Sequence, residues 1–195
     1  EEYTTGLVIP DDFDARMQQL HKPIISRFSL PGKWDWREHN GVTPVKNQKQ
    51  CGACWAFTTV AVVESAILIT DNVITDLSEQ WLVDCGKGYN GCKGGWWAFN
   101  HFINGYDNCY QYQEGWDYET DHGGVLESDA PYTPYLIPEC HCPYPRYWRV
   151  QEEVSVGYAG AGNPINIAEI KSFIFNVGPV ASGLVVNKLF FGFKH

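Results

Sequence analysis

From Cys54 to Thr70 the chain is apolar and free of glycine and proline, with Ala56, Val60, Val63 and Ile67 at helical spacing. Asp71-Asn72 then supplies a stop signal. The pattern predicts one long helix with Cys54 in its first turn. Leu77 to Val83 and Gly95 to Ile103 read as two further helices, the first preceded by Thr75-Asp76, and together these predict a helical lobe. Residues 105–130 carry Asp, Glu, Tyr and Gly without a clear period. After Val150 the pattern changes. Val154-Ser155-Val156 alternates, Ile165 to Asn176 reads as a short helix, and Val180 to Val186 reads as a buried strand. Residues 1–29 hold Pro10, Pro23 and a short polar and acidic stretch, with no sustained periodicity.

Composition narrows the class. The 195 residues suffice for one large domain or two small lobes with their own cores. Aromatics at 15%, with 19 glycines and 11 prolines, indicate a packed, loop-rich globular chain and not a disordered one. A net charge of −9 argues against nucleic acid as a partner, which would call for a basic patch. Acidity fits a lysosomal, vacuolar or secreted hydrolase, and equally many ordinary soluble proteins. No apolar run is read as approaching the ~18 residues of a membrane span. The chain opens on Glu1-Glu2 with neither an initiator Met nor a signal-peptide pattern, so it reads as a processed part of a longer precursor. No Asn-x-Ser/Thr sequon occurs.

The chemistry concentrates at Cys51-Gly52-Ala53-Cys54-Trp55-Ala56-Phe57, with Gln48 upstream. This run carries the local signature of papain and the cathepsins. Pro31, Asp35-Trp36-Arg37 and Val42-Thr43-Pro44-Val45-Lys46-Asn47-Gln48 precede it in the same family's order. Leu77-Ser78-Glu79-Gln80, Leu82-Val83-Asp84-Cys85 and Gly91-Cys92-Lys93-Gly94-Gly95 follow. The chain therefore resembles the papain-like cysteine peptidases. The resemblance implies an α+β, two-lobe fold: residues 30–153 as the helical lobe with the nucleophile, and 154–195 as the first part of a β-rich lobe. It places the mature start near Leu30-Pro31, so residues 1–29 read as a propeptide tail or an N-terminal extension. They are too few to form the family's helical inhibitory prodomain.

Seven cysteines, less one nucleophile, leave six for three disulfides. Their spacing permits 15 connectivities. The resemblance implies Cys51–Cys92 and a bridge from Cys85 to either Cys140 or Cys142, with Cys109 taking the one left over. A zinc site on Cys140, His141 and Cys142 is the rival reading. Its cysteines stand closer than the usual two-to-four spacing and no second Cys/His pair accompanies them, so no metal is expected.

A thiol attacks well only as thiolate, which a helix N-terminus and a neighbouring imidazolium both favour. Cys54 has the helix position. By resemblance, Gln48 and the Cys54 backbone N–H form the oxyanion hole. Gly94-Gly95 matches the strip whose backbone pairs with a peptide substrate, since glycine lets two backbones approach closely. Trp96 falls at a wall of the S2 pocket and Gly183 at its floor, which implies a bulky apolar P2 residue. Trp97 reads equally well as core.

The base is less evident. A spacing of roughly 130–150 residues after the cysteine nominates His195. However, the local run Leu189-Phe190-Phe191-Gly192-Phe193-Lys194-His195 resembles the segment upstream of the family's catalytic histidine. That histidine and its Asn are therefore expected beyond residue 195 or on a second chain. His21, His39, His101, His122 and His141 lack the context of a base. The implied function is hydrolysis of peptide or protein substrates through a Cys54 thioester, as an endopeptidase made as a zymogen, without cofactor. The alternative is a non-catalytic relative acting as a structural or binding component.

Overall fold

The computed structural model describes residues 6–23, 29–86, 91–105, 107, 109, 122–134, 139–158 and 164–183. Among these, five α-helices carry the architecture: α1 (Phe13–Leu20), α2 (Cys54–Asp71), α3 (Glu79–Cys85), α4 (Phe99–Asn104) and α5 (Ile167–Asn176). Short 3₁₀ turns cover Trp36–His39 and Gly91–Lys93.

The predicted long helix is α2. It ends where Asn72 turns left-handed at φ 55° and donates its N–H to Leu68 O. Trp55, Ala56, Val60, Val63 and Ile67 are buried and meet Leu77, Trp81 and Leu82 from the α3 region, with Phe102 of α4 and Val125. Thr59 ties α4 in, its hydroxyl accepting from Ala98 N at 2.9 Å. At 18 residues and mean hydropathy 1.4, α2 is long and apolar enough to cross a membrane, which corrects the sequence reading. Half of it is buried against the rest of the fold, as befits the central helix of a core.

The other boundaries shift for identifiable reasons. Helix α3 starts at Glu79, not Leu77, because Ser78 is its cap: Ser78 Oγ accepts from Trp81 N at 2.9 Å. Leu77 is instead bridged to Leu126. Helix α4 starts at Phe99, because Gly95 is held extended by pairing described below. Helix α5 starts at Ile167 behind Asn166, whose side chain accepts from Glu169 N. The alternating Val154-Ser155-Val156 makes one isolated bridge, Ser155 to His21. Of the predicted strand, residues 180–183 are not in a strand and 184–186 lie outside the described residues. Helix α5 lies on the 34–36 segment, with Trp36 Nε1 donating to Ile174 O at 2.6 Å and Trp34 set edge-on to Phe175.

Residues 105–130, aperiodic in sequence, are anchored by burial where described: Asp107, Cys109, Val125 and Ala130 all sit inside. Asp107 accepts from Trp81 Nε1 at 2.8 Å and from Arg146 at 2.7 Å, while the Arg146 guanidinium stacks over Trp81. Helix α1 was not foreseen. Phe13, Met17 and Leu20 stand at the helical i, i+4, i+7 spacing, and Met17 is buried.

Candidate active site

Cys54 is the first residue of α2, so its half-buried thiol sits at the positive end of an 18-residue helix dipole. It is the one free cysteine; the other six form Cys51–Cys92, Cys85–Cys140 and Cys109–Cys142. The alternative left open for Cys85 resolves to Cys140, and Cys140 and Cys142 each stand in a disulfide. Cys51–Cys92 fastens the turn before Cys54 to residues 91–95. Gly52 N donates to Cys92 O at 3.0 Å, and Trp55 Nε1 donates to Gly91 O at 3.3 Å. The nucleophile candidate and the glycine strip are therefore tied to each other by one disulfide and two hydrogen bonds. Gln48, half-buried at the start of that turn, is held through its backbone: its carbonyl accepts from Cys51 N and from the Tyr132 hydroxyl at 2.8 Å.

The glycine strip is engaged by the chain's own N-terminal segment. Leu7 forms a parallel bridge with Gly95: Gly95 N donates to Gly6 O and Val8 N donates to Gly95 O, both at 2.8 Å. Glycine is required here. Gly94 has φ 118°, and a Cβ on Gly6 would stand 1.8 Å from Gly52 O, two residues before the thiol. Leu7 Cδ2 lies 2.7 Å from where a Gly183 Cβ would stand, so this one leucine touches the strip with its backbone and Gly183 with its side chain. Trp96 is buried, packed edge-on by Phe13 of α1 at 5.5 Å and tilted against Trp97 at 4.3 Å.

Beyond the strip, α1 is fastened to residues 155–169. Ser155 N donates to Leu20 O, the Tyr158 hydroxyl donates to Asp14, and His21 Nε2 meets Glu169 Oε1 at 2.9 Å. Leu7, Val8 and Phe13 are thus contacts of the Gly94-Gly95-Trp96 segment that sequence reasoning missed. The spacing of Phe13, Met17 and Leu20 was the available signal.

The histidines sit in other surroundings. His21 meets Glu169, His39 stacks on Trp34 at 3.8 Å, His101 is buried edge-on to Trp81, and His141 lies 3.8 Å from Glu139. His122 is half-buried, and His195 lies outside the described residues.

Beside α2 lies a charge cluster in which Glu64 and Glu79 are buried, Lys46 is half-buried and Asp76 is exposed. Lys46 Nζ reaches Glu64 at 2.8 Å, Asp76 at 2.7 Å and Glu79 at 3.1 Å, and Glu64 also accepts from Thr43 and from Leu77 N. Because one ammonium is shared by three carboxylates, it does not offset the burial of Glu79, whose carboxyl is pushed up to about 7. The same carboxylates hold the Lys46 ammonium well above its ordinary value despite its own burial. A cavity of about 360 Å³ adjoins the cluster, lined by Pro44, Lys46, Phe57, Glu64, Pro179 and Val180 among others.

The model of the papain family of cysteine proteases matches residues 30–195. The chain belongs to that family. It is 36% identical over 166 residues to stem bromelain of Ananas comosus, covering 80% of this chain and 74% of that protein. With zingipain-2 of Zingiber officinale it is 52% identical over 77 residues, 38% of this chain and 35% of that one. The chain spans less than half the length of zingipain-2 and about half that of fruit bromelain of Ananas comosus. Among solved structures, digestive procathepsin L2 of Tenebrio molitor aligns with TM-score 0.53 and 31% identity, over 72% of this chain and 42% of that one. A structure from the mite allergens Blo t 1 and Der p 1 aligns with TM-score 0.60 and 25% identity, over 83% and 49%. The fold is papain-like, and the regular structure of the described residues is mostly helical with few bridges, consistent with the helical lobe of that α+β architecture.

Proposed function

We propose that the protein of which this chain is part is a papain-like cysteine endopeptidase, and that residues 6–21 hold its cleft closed as the tail of a propeptide. The observation that carries this reading is the backbone pairing of Gly6–Val8 with Gly95. A strip able to accept one extended strand of its own chain is equally able to accept a peptide substrate.

In the open cleft, the Cys54 thiolate attacks the scissile carbonyl and forms a thioester, expelling the amine, which takes a proton from the paired histidine. The Cys54 N–H and the Gln48 amide stabilise the oxyanion. Gly94-Gly95 aligns the substrate backbone, and Trp96 with Gly183 bounds an apolar S2 site. Leu7 is the kind of side chain that site accepts. The imidazole and its Asn partner come from beyond residue 195 or from a second chain. The first lobe spans 30–153 and the second begins at 154. A lysosomal, vacuolar or secreted location fits the three disulfides.

The test is turnover of a fluorogenic dipeptide with apolar P2 by the complete protein after cleavage between the N-terminal segment and Leu30. Activity lost in Cys54→Ala and lowered about a hundredfold in Gln48→Ala is expected. A folded, cleaved protein without turnover would instead favour the non-catalytic relative, a structural or binding component.

A further inference from the structure

Four cysteine sulfurs meet at one point of the helical lobe. The Sγ atoms of Cys85, Cys109, Cys140 and Cys142 all lie within 4.8 Å of one another. Two disulfides, Cys85–Cys140 and Cys109–Cys142, share this space. Across them, Cys140 Sγ is 2.9 Å from Cys142 Sγ, Cys109 Sγ is 3.6 Å from Cys140 Sγ, and Cys85 Sγ is 4.0 Å from Cys142 Sγ. Every cross pair needed for the opposite connectivity is thus already assembled.

We infer that these cysteines form a thiol–disulfide exchange centre, in which the bridges interconvert between Cys85–Cys140 with Cys109–Cys142 and Cys85–Cys142 with Cys109–Cys140. Exchange proceeds by thiolate attack on a disulfide sulfur, so it needs one bridge opened and a thiolate within reach. A small-molecule thiol of the glutathione class supplies the opening. Two of its thiols become its disulfide, and Cys109 and Cys142 become thiols. The Cys109 thiolate then attacks Cys140 Sγ: the Cys109–Cys140 bond forms, Cys85–Cys140 breaks, and the electron pair leaves on Cys85, which takes a proton from water. Cys85 and Cys142 now stand as neighbouring thiols and are reoxidised by the disulfide form of the same reagent, which recovers its two thiols. Attack by Cys142 on Cys140 gives Cys140–Cys142 as a branch with the same leaving group.

The placement gives the exchange a structural meaning. Cys85 is the last residue of α3 and is fully buried, so it is the fixed post. Cys140 and Cys142 are half-buried neighbours on the 139–148 segment, and Cys109 tethers the connection that follows α4. Interchange moves that tether by two residues along the 139–148 segment without disturbing α3. Cys51–Cys92, at the Cys54 turn, is the internal reference.

The experiment uses the full protein with Cys54→Ser, to remove the free thiol, incubated in graded glutathione buffers without denaturant. It is then quenched with acid, alkylated and mapped by mass spectrometry. Cys85–Cys142, Cys109–Cys140 or Cys140–Cys142 linked peptides are expected while Cys51–Cys92 stays intact. Opening of both bridges with no rearranged link overturns the inference. So does a rearranged set that includes Cys51 or Cys92, which would mean general scrambling on unfolding. A second variant, Cys109→Ser, is expected to divide alkylation between Cys140 and Cys142 within about tenfold, as both compete for Cys85. Alkylation of Cys142 alone would contradict it.

Discussion

Gly95 donates its backbone N–H to the carbonyl of Gly6 at 2.8 Å, so the strip beside the Cys54 turn is engaged by the chain's own N-terminal segment. The pairing is parallel and continues through Val8. It is reinforced by Leu7 against Gly183 and by Phe13 against Trp96. On the proposed reading, access to Cys54 depends on how firmly residues 6–21 are held.

The leucine is the side chain to change first. Full burial of a leucine contributes about 1.5–3 kcal/mol; Leu7 is partly buried and keeps part of that, which a carboxylate in its place would lose. Leu7→Asp is expected to raise the rate at which a thiol-directed vinyl sulfone labels Cys54 by about tenfold or more. Stopped-time labelling with mass detection checks this. An unchanged rate would mean that the segment does not limit access.

The Cys51–Cys92 bridge supports both the fold and the site, since it joins the Cys54 turn to the strip. The double variant Cys51→Ser, Cys92→Ser is expected to lose about 2–5 kcal/mol in denaturant unfolding. Its Cys54 labelling should fall more than the unfolded fraction accounts for. Both are read on the same sample by urea titration and peptide mapping.

Glu79 and His101 give the stability opposite pH slopes. Burial lifts the Glu79 carboxyl to about 7, so the folded state binds its proton more tightly than the unfolded chain does. That contribution is complete below about 4.5 and is lost as pH rises through 7, by up to about 3 kcal/mol. Thermal unfolding from pH 5 to pH 8 should therefore fall less steeply in Glu79→Gln than in the parent.

Burial instead lowers His101 to about 4, chiefly by desolvation of its charged form. The unfolded chain then binds the extra proton below about 6.5, and stability falls as pH drops toward 4, by up to about 3 kcal/mol. His101→Gln is expected to be less stable at pH 7 but to show a flatter acid limb. An acid limb as steep as the parent's would place the acid sensitivity elsewhere.

The long helix was legible because seventeen residues without glycine or proline, apolar at helical spacing, leave little else for Cys54–Thr70 to form. The disulfide at Cys51 and the glycine strip followed from family order. What stayed hidden is tertiary. Gly95 to Ala98 reads as helical until Gly6–Val8 arrives to hold Gly95 extended. The pairing partner of Cys85 is a choice between two cysteines two residues apart, which spacing cannot make. Helix α1 is short and flanked by Pro10 and Pro23, so its three apolar positions stand out only once Trp96 and Tyr158 are seen against Phe13. Buried carboxylates such as Glu64 and Glu79 look like surface charges until Lys46 is placed between them.

The central claim is that Cys54 is the nucleophile of a cleft closed by the N-terminal segment. It is tested most directly by treating the complete protein with an epoxide inhibitor of cysteine peptidases, before and after cleavage near Leu30, and mapping the adduct. The account predicts a single adduct on Cys54 whose formation accelerates on cleavage. An adduct on Cys109 or Cys142 with Cys54 untouched in the cleaved, folded protein would contradict it.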